Sequence, residues 1–397
     1  MTALRFERAA IPIDLVWSSP FARWQGPLAS ITSIDLAADV TTRALAWRKV
    51  DPESLTEIIF GWTVPQPGIF YGAPTVAARI GAPGITGPMI SQACATSVAS
   101  LAVAAASVES GAQGPILVVA ADRTSNGPHV VYSSPTSPGA TPVSEDWVLD
   151  NFVRDPWAGE SMLATAEAVA AEAKMTRAEI DEATLLRFGQ YGRALHEDRA
   201  FQRAYMVPAA VLARGGEPLQ IEADVGVHET SAEALAALEP VRPGGVVTYG
   251  SQTHPADGAA GAIVTDARSA PARGGIVRML AAGFARVEPA RMPRAPVPAA
   301  RAALSAAGVA MSDVNAVTTH NPFTVSDLWF SREMGFPLEE MNQYGSSLVY
   351  GHPQGPTGLR AIAELVQTLC LRGGGIGLFT GCAAGDTGAA LVVRVDG

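Results

Sequence analysis

Cysteine is scarce in this chain: three residues in 397, Cys94, Cys370 and Cys382. So few thiols cannot staple a fold of this length, which excludes a disulfide framework and points to a reducing compartment. Closely spaced C-x-x-C pairs, the mark of structural zinc, are missing as well, so no metal is expected. Charged residues make up only 17%, no dense basic run occurs, and the formal net charge is −10. That charge balance excludes a nucleic-acid surface. No apolar run is long enough to span a bilayer, residues 1–8 lack the apolar core of a signal peptide, and residues 395–397 carry no lipidation or address motif. These absences predict a cytoplasmic protein with neither a membrane nor a nucleic-acid partner.

What the chain does have is apolar bulk. Hydrophobic residues make up 48%, with 39 Gly and 29 Pro in no repeating pattern. This composition predicts a well-packed, loop-rich globular chain of two or three units.

One stretch organises the rest. After the apolar lead-in Gly87 to Ile90 comes Cys94, and then a long run of small, Ala-dominated residues up to Gly111. Alanine supplies helical propensity and Gly111 is placed to stop the helix. A cysteine at a helix start meets unpaired N–H groups and the positive end of the macrodipole, which predicts thiolate character. Small neighbours leave room above the sulfur for an acyl group. The plainer alternative is a small core cysteine.

Periodicity places the other elements. A helix is expected over 34–49, where Ile34, Leu36, Ala37, Val40, Ala44 and Leu45 recur at helical spacing, and a strand over 57–60. With the Cys94 helix and a strand over 115–120 this reads as a βαβ unit. Residues 124–157 are rich in Ser, Pro, Asn and Asp, and Thr176 with Glu179 forms a capping box. Residues 124–244 therefore read as a mostly helical covering domain inserted between 1–123 and 245–270. The C-terminal half, 271–397, resumes the α/β pattern. Strands are expected over 245–250, 260–265, 276–280, 314–318 and 376–380, and helices over 299–308 and 359–371. Each half carries a turn with one reactive residue, Cys94 or His352, ahead of an apolar helix, a glycine break and a buried strand. An internal duplication accounts for this and would bring Cys94 and His352 into one site.

Four reactive positions, Cys94, His320, His352 and Cys382, fall at strand ends or helix starts, where open α/β sheets build sites. Two sulfurs and two imidazoles, with no carboxylate pair and no phosphate loop, suit acyl transfer through a thioester. One thiolate attacks the carbonyl, a histidine takes its proton and N–H donors hold the oxyanion. The second thiol can move a proton to or from carbon. His320, after its strand, is expected to face the His352 helix start and donate, directly or through a water, to the same oxyanion; the plainer alternative is that it only closes a strand-end turn with Asn321 and Pro322. Cys370, between Leu369 and Leu371 on an apolar face, is expected in the core. Arg187, Arg193, Arg199 and Arg203 with His196 form a basic cluster that reads either as a solvated helix face or as a landing place for nucleotide phosphates.

Taken in order, these motifs resemble the thiolase family over nearly the whole chain. The Cys94 turn resembles its nucleophile motif, and Met162 to Ala170 resembles M-G-x-T-A-E-x-V-A. Gly245-Val246-Val247-Thr248 with Asp257-Gly258-Ala259 resembles G-x-V-T…D-G-A. Asn342 to Gly358 resembles N-x-x-G…G-H-P-x-G-x-(S/T)-G, and Gly381-Cys382 resembles the last catalytic motif. The resemblance implies an α/β thiolase-like fold: two duplicated βαβ-rich halves in a layered α/β/α arrangement plus a loop domain. It also implies roles, with Cys94 as acyl-accepting nucleophile, His352 as its activator and oxyanion donor, and Cys382 as acid/base. The N–H groups of Cys94 and Ala384 would form a second oxyanion hole. Coenzyme A would contact Arg187, Arg193, Arg199, Ser251 and Thr253.

The implied reaction is reversible Claisen condensation or thiolysis of a 3-oxoacyl-CoA. Acyl-CoA and CoA would be substrates rather than cofactors, and the assembly a homodimer or a dimer of dimers. Three departures qualify the likeness. His320-Asn321-Pro322-Phe323 replaces N-E-A-F and is closer to the H-D-x-F of sterol-carrier-protein-type thiolases. Cys382-Ala383-Ala384-Gly385-Asp386 replaces C-x-G-G-G. Val227-His228 stands where relatives place an arginine that grips the nucleotide. The alternatives are a condensing enzyme on carrier-protein thioesters, or a low-activity subunit that relies on a small CoA-binding partner protein.

Overall fold

Two parallel strand pairs, each closed by an antiparallel third strand, form the frame. Ile116–Arg123 runs parallel to Glu57–Gly61, from Glu57↔Ile116 to Gly61↔Ala120, and Ala256–Asp266 closes that set antiparallel. In the second half Val314–His320 runs parallel to Gly375–Ala383, ending at His320↔Gly381, and Thr387–Val395 closes it. The short strand Ala9–Pro12 pairs with both Ala256–Asp266 and Ile276–Arg286, which joins the halves into one 12-stranded sheet. These strands read as continuous apolar runs because both of their faces are covered by helices. The computed structural model describes residues 1–134, 136, 139–212, 216–270 and 274–396.

The two helices that follow the reactive turns, Thr96–Glu109 and Thr357–Leu371, pack on each other and on strands of both halves. Val98, Leu101 and Ala105 of the first share one core with Leu359, Ile362 and Val366 of the second. A helix buried over most of its circumference has to be apolar or small on nearly every face, which is why the Cys94 run is nearly all alanine, valine and serine. Ser33–Arg48 covers the outer face of the first half, where Leu36, Val40 and Leu45 meet Ile58 and Phe60. Pro296–Ala307 and Thr324–Met334 cover the outer face of the second, with Ala300, Leu304 and Phe330 against Leu378 and Val392. The layers run helix, first strand set, paired helices, second strand set, helix, with the two strand sets continuous through Ala9–Pro12, so the expected α/β/α arrangement occurs twice with a shared middle layer.

Between residues 124 and 244 lie two hairpins, His129–Tyr132 with Val143–Asp146 and Ala209–Leu212 with Pro218–Ile221, and the helices Met162–Glu172 and Arg177–Ala194. The Thr176–Glu179 capping box is formed in both directions. Trp147 Nε1 donates to the Thr63 carbonyl at 2.9 Å and ties the first hairpin's end to the body.

One expected strand is not there. Residues 245–250 run into a short 3-10 turn at Tyr249–Ser251. The N–H groups of Val246 and Val247 are taken by the Glu167 carboxylate at 2.9–3.1 Å, so a side chain satisfies what a strand ladder would have used. No helix among the described residues is long and apolar enough to cross a membrane.

Candidate active site

Cys94 sits in a tight turn that the helix behind it holds. Ala93 takes φ +44°, a left-handed conformation that alanine adopts only when its surroundings impose it. The imposing group is Thr96, whose hydroxyl accepts from Gln92 N at 2.8 Å and donates to Ala93 O at 2.7 Å. The sulfur is thereby lifted off the helix start, and the residue is half-buried.

His352 arrives from the other half. Gly351, at φ +93°, lies where a Cβ would strike the His254 ring at 2.5 Å. The His352 N–H then donates to His254 O at 2.9 Å, bridging to the strand Ala256–Asp266. Its Nδ1 meets Thr357 Oγ1 at 2.7 Å, which leaves Nε2 3.0 Å from Cys94 Sγ. Two further ties fix this approach. Ser97 Oγ, on the Cys94 helix, donates to Gly355 O at 2.5 Å and accepts from Leu359 N at 2.9 Å. Asp122, at the end of Ile116–Arg123, accepts from Gly355 N at 2.9 Å as well as from Thr63 N and Val64 N. The glycines around His352 thus serve the closure of the two halves, since a Cβ on Gly355 or Gly358 would meet Asp122 or Ser97 at 2.7 or 2.8 Å.

Charge at the site is set by burial. Burial pushes the Cys94 thiol up to about 12, while the Ala384 N–H and its own N–H pull it back toward thiolate. Burial also holds His352 well below its ordinary value, with His320 beside it acting in the same direction. The pair is therefore a neutral thiol facing a neutral imidazole, and the thiolate expected from the helix start is a correction: loss of water outweighs the helix terminus. Cys382, 1% exposed at the end of Gly375–Ala383, is raised by burial first and by Cys94 second, while a Ser326 contact opposes both.

His320 ends Val314–His320 and stacks on His352, centroids 4.0 Å apart and planes 27° apart. Its Nδ1 meets Ser347 Oγ at 2.9 Å, and its Nε2, fully enclosed, has no partner among the described residues. Burial lowers this imidazole to about 3, so it too is neutral. Donor atoms of Cys94, His320 and His352 lie within 4.8 Å of one another. A metal would have to lie in the plane of each ring it binds, and near-parallel stacked rings do not direct two lone pairs at one point. Hydrogen bonds tolerate larger misalignment, so two stacked imidazoles suit a shared oxygen better than a shared cation.

A model of the thiolase N-terminal domain matches residues 17–268, and one of the thiolase C-terminal domain matches residues 274–395. The chain belongs to the thiolase family. It is 30% identical over 380 residues to the acetyl-CoA acetyltransferase of Escherichia coli, covering 94% of this chain and 95% of that one. It shares its fold with the Bacillus anthracis acetyl-CoA acetyltransferase (TM-score 0.91, 24% identity, 98% and 99% covered). A human mitochondrial 3-ketoacyl-CoA thiolase solved in complex with CoA is similar as well (TM-score 0.88, 25% identity, 98% of each chain).

Within this thiolase-family fold the four reactive residues gather at one place, but the residues expected to grip CoA do not all remain candidates. Arg187 is a correction. It is 1% exposed and its Nε donates to the Asp327 carboxylate at 2.7 Å, so it belongs to the interior and not to a landing surface. Ser251 is buried too, and its hydroxyl closes its own turn on Thr248. Thr253 is half-buried and donates to Ser347 O at 2.5 Å. Arg193 is exposed, and Arg199 is partly exposed with its guanidinium on Glu222 O. Cys370 is half-buried beside the core. Sequence reasoning missed Asp122, Ser347, Thr357 and the Asn321–Asp327 contact. Motif spacing gives no sign of the partners of these polar residues, although each stands within a few residues of a reactive side chain or strand end.

Proposed function

We propose that this thiolase-family acyltransferase carries its acyl group on Cys94, taking it from a CoA thioester. The observation behind the reading is the 3.0 Å contact between Cys94 Sγ and a neutral His352 Nε2. As the sulfur attacks the thioester carbonyl, its proton moves to His352, and the departing CoA sulfur recovers that proton. Electron density collecting on the carbonyl oxygen needs donors already aimed at it, and the Cys94 and Ala384 N–H groups and the His320–His352 pair are the candidates.

In the second half-reaction Cys382, as thiolate, takes a proton from the carbon next to an acetyl-CoA carbonyl. The carbanion displaces the Cys94 sulfur from the acyl group and gives a 3-oxoacyl-CoA, and the released Cys94 thiolate takes up the proton that Cys382 has gained, which restores both thiols; thiolysis is the reverse. Burial makes the Cys382 thiolate rarer but a stronger base, which suits a weak carbon acid. The acyl carrier is CoA, Arg193 and Arg199 are the contacts for its phosphates that stay candidates once Arg187 is excluded, and the working unit is at least a homodimer in the cytoplasm.

Intact mass after incubation with a panel of acyl-CoAs tests this. The expected result is a single acyl adduct that maps to Cys94 and is absent from Cys94→Ala. An adduct on Cys382, or one formed from carrier-protein thioesters and not from CoA, would overturn the reading. The exposed His228, standing where relatives carry an arginine, favours one further arm. If acylation needs a fraction of native lysate, the chain is a subunit that relies on a CoA-binding partner.

A further inference from the structure

A buried polar chain runs from the covering domain to the back of His320. Arg187 and Asp327 form an ion pair in which both side chains are 1% exposed. The guanidinium is held further by Gln190 Oε1 and the carbonyls of Leu338 and Met341 at 2.7–3.2 Å. The carboxylate also accepts from Thr319 Oγ1 at 2.6 Å and from the Asn321 and Asn342 amides at 2.6 and 3.2 Å. A carboxylate can only accept, so it fixes the Asn321 amide with Nδ2 toward itself. Asn321 Oδ1 must then face the other way, where the Leu348 N–H meets it at 3.1 Å.

Ser347 stands between that oxygen and His320. Its hydroxyl accepts from Asn321 N at 3.2 Å and has one proton to give, with His320 Nδ1 at 2.9 Å and Asn321 Oδ1 at 3.2 Å as the takers. The amide oxygen already has the Leu348 N–H on one of its two lone pairs, and of the two takers the imidazole is the nearer, at 2.9 Å against 3.2 Å. A neutral imidazole that accepts at Nδ1 must carry its own proton on Nε2. That nitrogen is the one with no partner among the described residues, on a ring stacked 4.0 Å from His352 and with a nitrogen within 4.8 Å of Cys94 Sγ.

We infer that Ser347, oriented by the Arg187–Asp327–Asn321 chain, is a positioning residue that holds His320 in the Nε2–H tautomer, so that a neutral ring donates to the thioester oxyanion. The inference rests on the acyl-transfer reading. Its distinctive consequence is that Ser347 acts only through a ring with two tautomers. An asparagine at position 320 has an amide that donates without a relay, so Ser347 should lose its importance there.

Four proteins test this: wild type, Ser347→Ala, His320→Asn and the double variant, with kcat and KM for an acyl-CoA and thermal midpoints for each. Ser347→Ala is expected to lower kcat about tenfold, the rate equivalent of one net hydrogen bond, with KM within about twofold. In the His320→Asn background the same change should cost less than about threefold. Any general loosening from Ser347→Ala is common to both backgrounds and cancels in the comparison. Ser347→Cys, which keeps the volume but donates weakly, replaces it if the alanine variant does not fold.

The anchor is tested with Arg187→Met and Asp327→Leu together, which removes both charges and leaves neither unpaired. It should show the same background-dependent loss. Equal losses in both backgrounds, or a loss that appears in KM, would overturn the inference and leave acyl transfer standing. An inactive His320→Asn in an active wild-type setting would overturn it too, because a fixed donor would then not suffice. Absence of acyl transfer in wild type would overturn the reading and the inference together.

Discussion

Burial and the helix terminus pull the Cys94 thiol in opposite directions, and burial wins. A neutral thiol beside a neutral imidazole reacts through proton transfer during attack, unlike an ion pair poised beforehand. Iodoacetamide reads the difference, because only thiolate is alkylated at a useful rate. With the thiol pushed up to about 12, alkylation mapped to Cys94 is expected to rise about tenfold per pH unit from pH 6 to about 10 with no plateau. A plateau between pH 6 and 8 would mean that thiolate and imidazolium already exist at rest. The sequence marked Cys94, His320, His352 and Cys382 because such side chains at strand ends and helix starts have few dull uses. Electrostatic environment was harder to read. The depth of enclosure that decides the Cys94 proton, and the Asp327 partner that takes Arg187 out of the surface cluster, come from residues far away along the chain.

Elements built from local periodicity were read well. The helices expected over 34–49, 299–308 and 359–371 are Ser33–Arg48, Pro296–Ala307 and Thr357–Leu371, and the duplication inferred from two matching turns is the relation between the two strand sets. Elements defined by partners were read less well. Residues 245–250 have a strand's apolar pattern, but the Glu167 carboxylate takes their N–H groups. Thr324–Met334 went unread because its buried face mixes Thr, Ser and Asp with Val, Leu and Phe.

The glycines of the His352 turn belong to this same class, since their reason is a contact across the two halves. Gly358 lies inside Thr357–Leu371, where alanine ordinarily stabilises a helix by roughly 0.5–1 kcal/mol relative to glycine. Here a Cβ would stand 2.8 Å from Ser97 Cβ and 3.3 Å from Phe379 Cζ. Ser97 cannot give way without breaking its bonds to Gly355 and Leu359. Gly358→Ala is therefore expected to destabilise by about 1–3 kcal/mol, the usual cost of overpacking, and to lower kcat by moving His352 off Cys94. Denaturant midpoints and turnover check both. A more stable, fully active variant would show that the two helices have slack between them.

At the scale of the molecule the site exists because the two halves close on each other, and the closure is made of buried polar groups. Arg360 on the His352 helix reaches Asp224 of the covering domain with two bonds of 2.6 and 2.7 Å, both side chains fully buried. Asp122 does the same between the first half and the His352 turn, but without a cation. Burial raises its carboxyl to about 7, although the N–H groups of Thr63, Val64 and Gly355 pull it down.

The consequence for stability has a definite sign. A carboxyl whose folded value lies above its unfolded value of about 3.9 takes up a proton on folding between those limits, so the stability it contributes is complete below about pH 4 and is lost as pH rises toward 7. The buried imidazoles act in the opposite sense: with folded values below about 6.5, they cost stability as pH falls beneath it. Wild-type stability alone would blend these slopes, but the difference between wild type and Asp122→Asn isolates one. Asparagine cannot accept from Gly355 and Thr63 together as the acid does, which costs a constant amount at every pH. Over pH 4–7 the wild type's advantage should shrink by about 1.4 kcal/mol per pH unit, and it should be flat outside that window. Urea midpoints for both proteins at half-unit intervals supply the measurement. A difference that does not vary with pH would mean that the backbone donors keep Asp122 ionised in the fold, and that the two halves close around a standing negative charge beside Cys94.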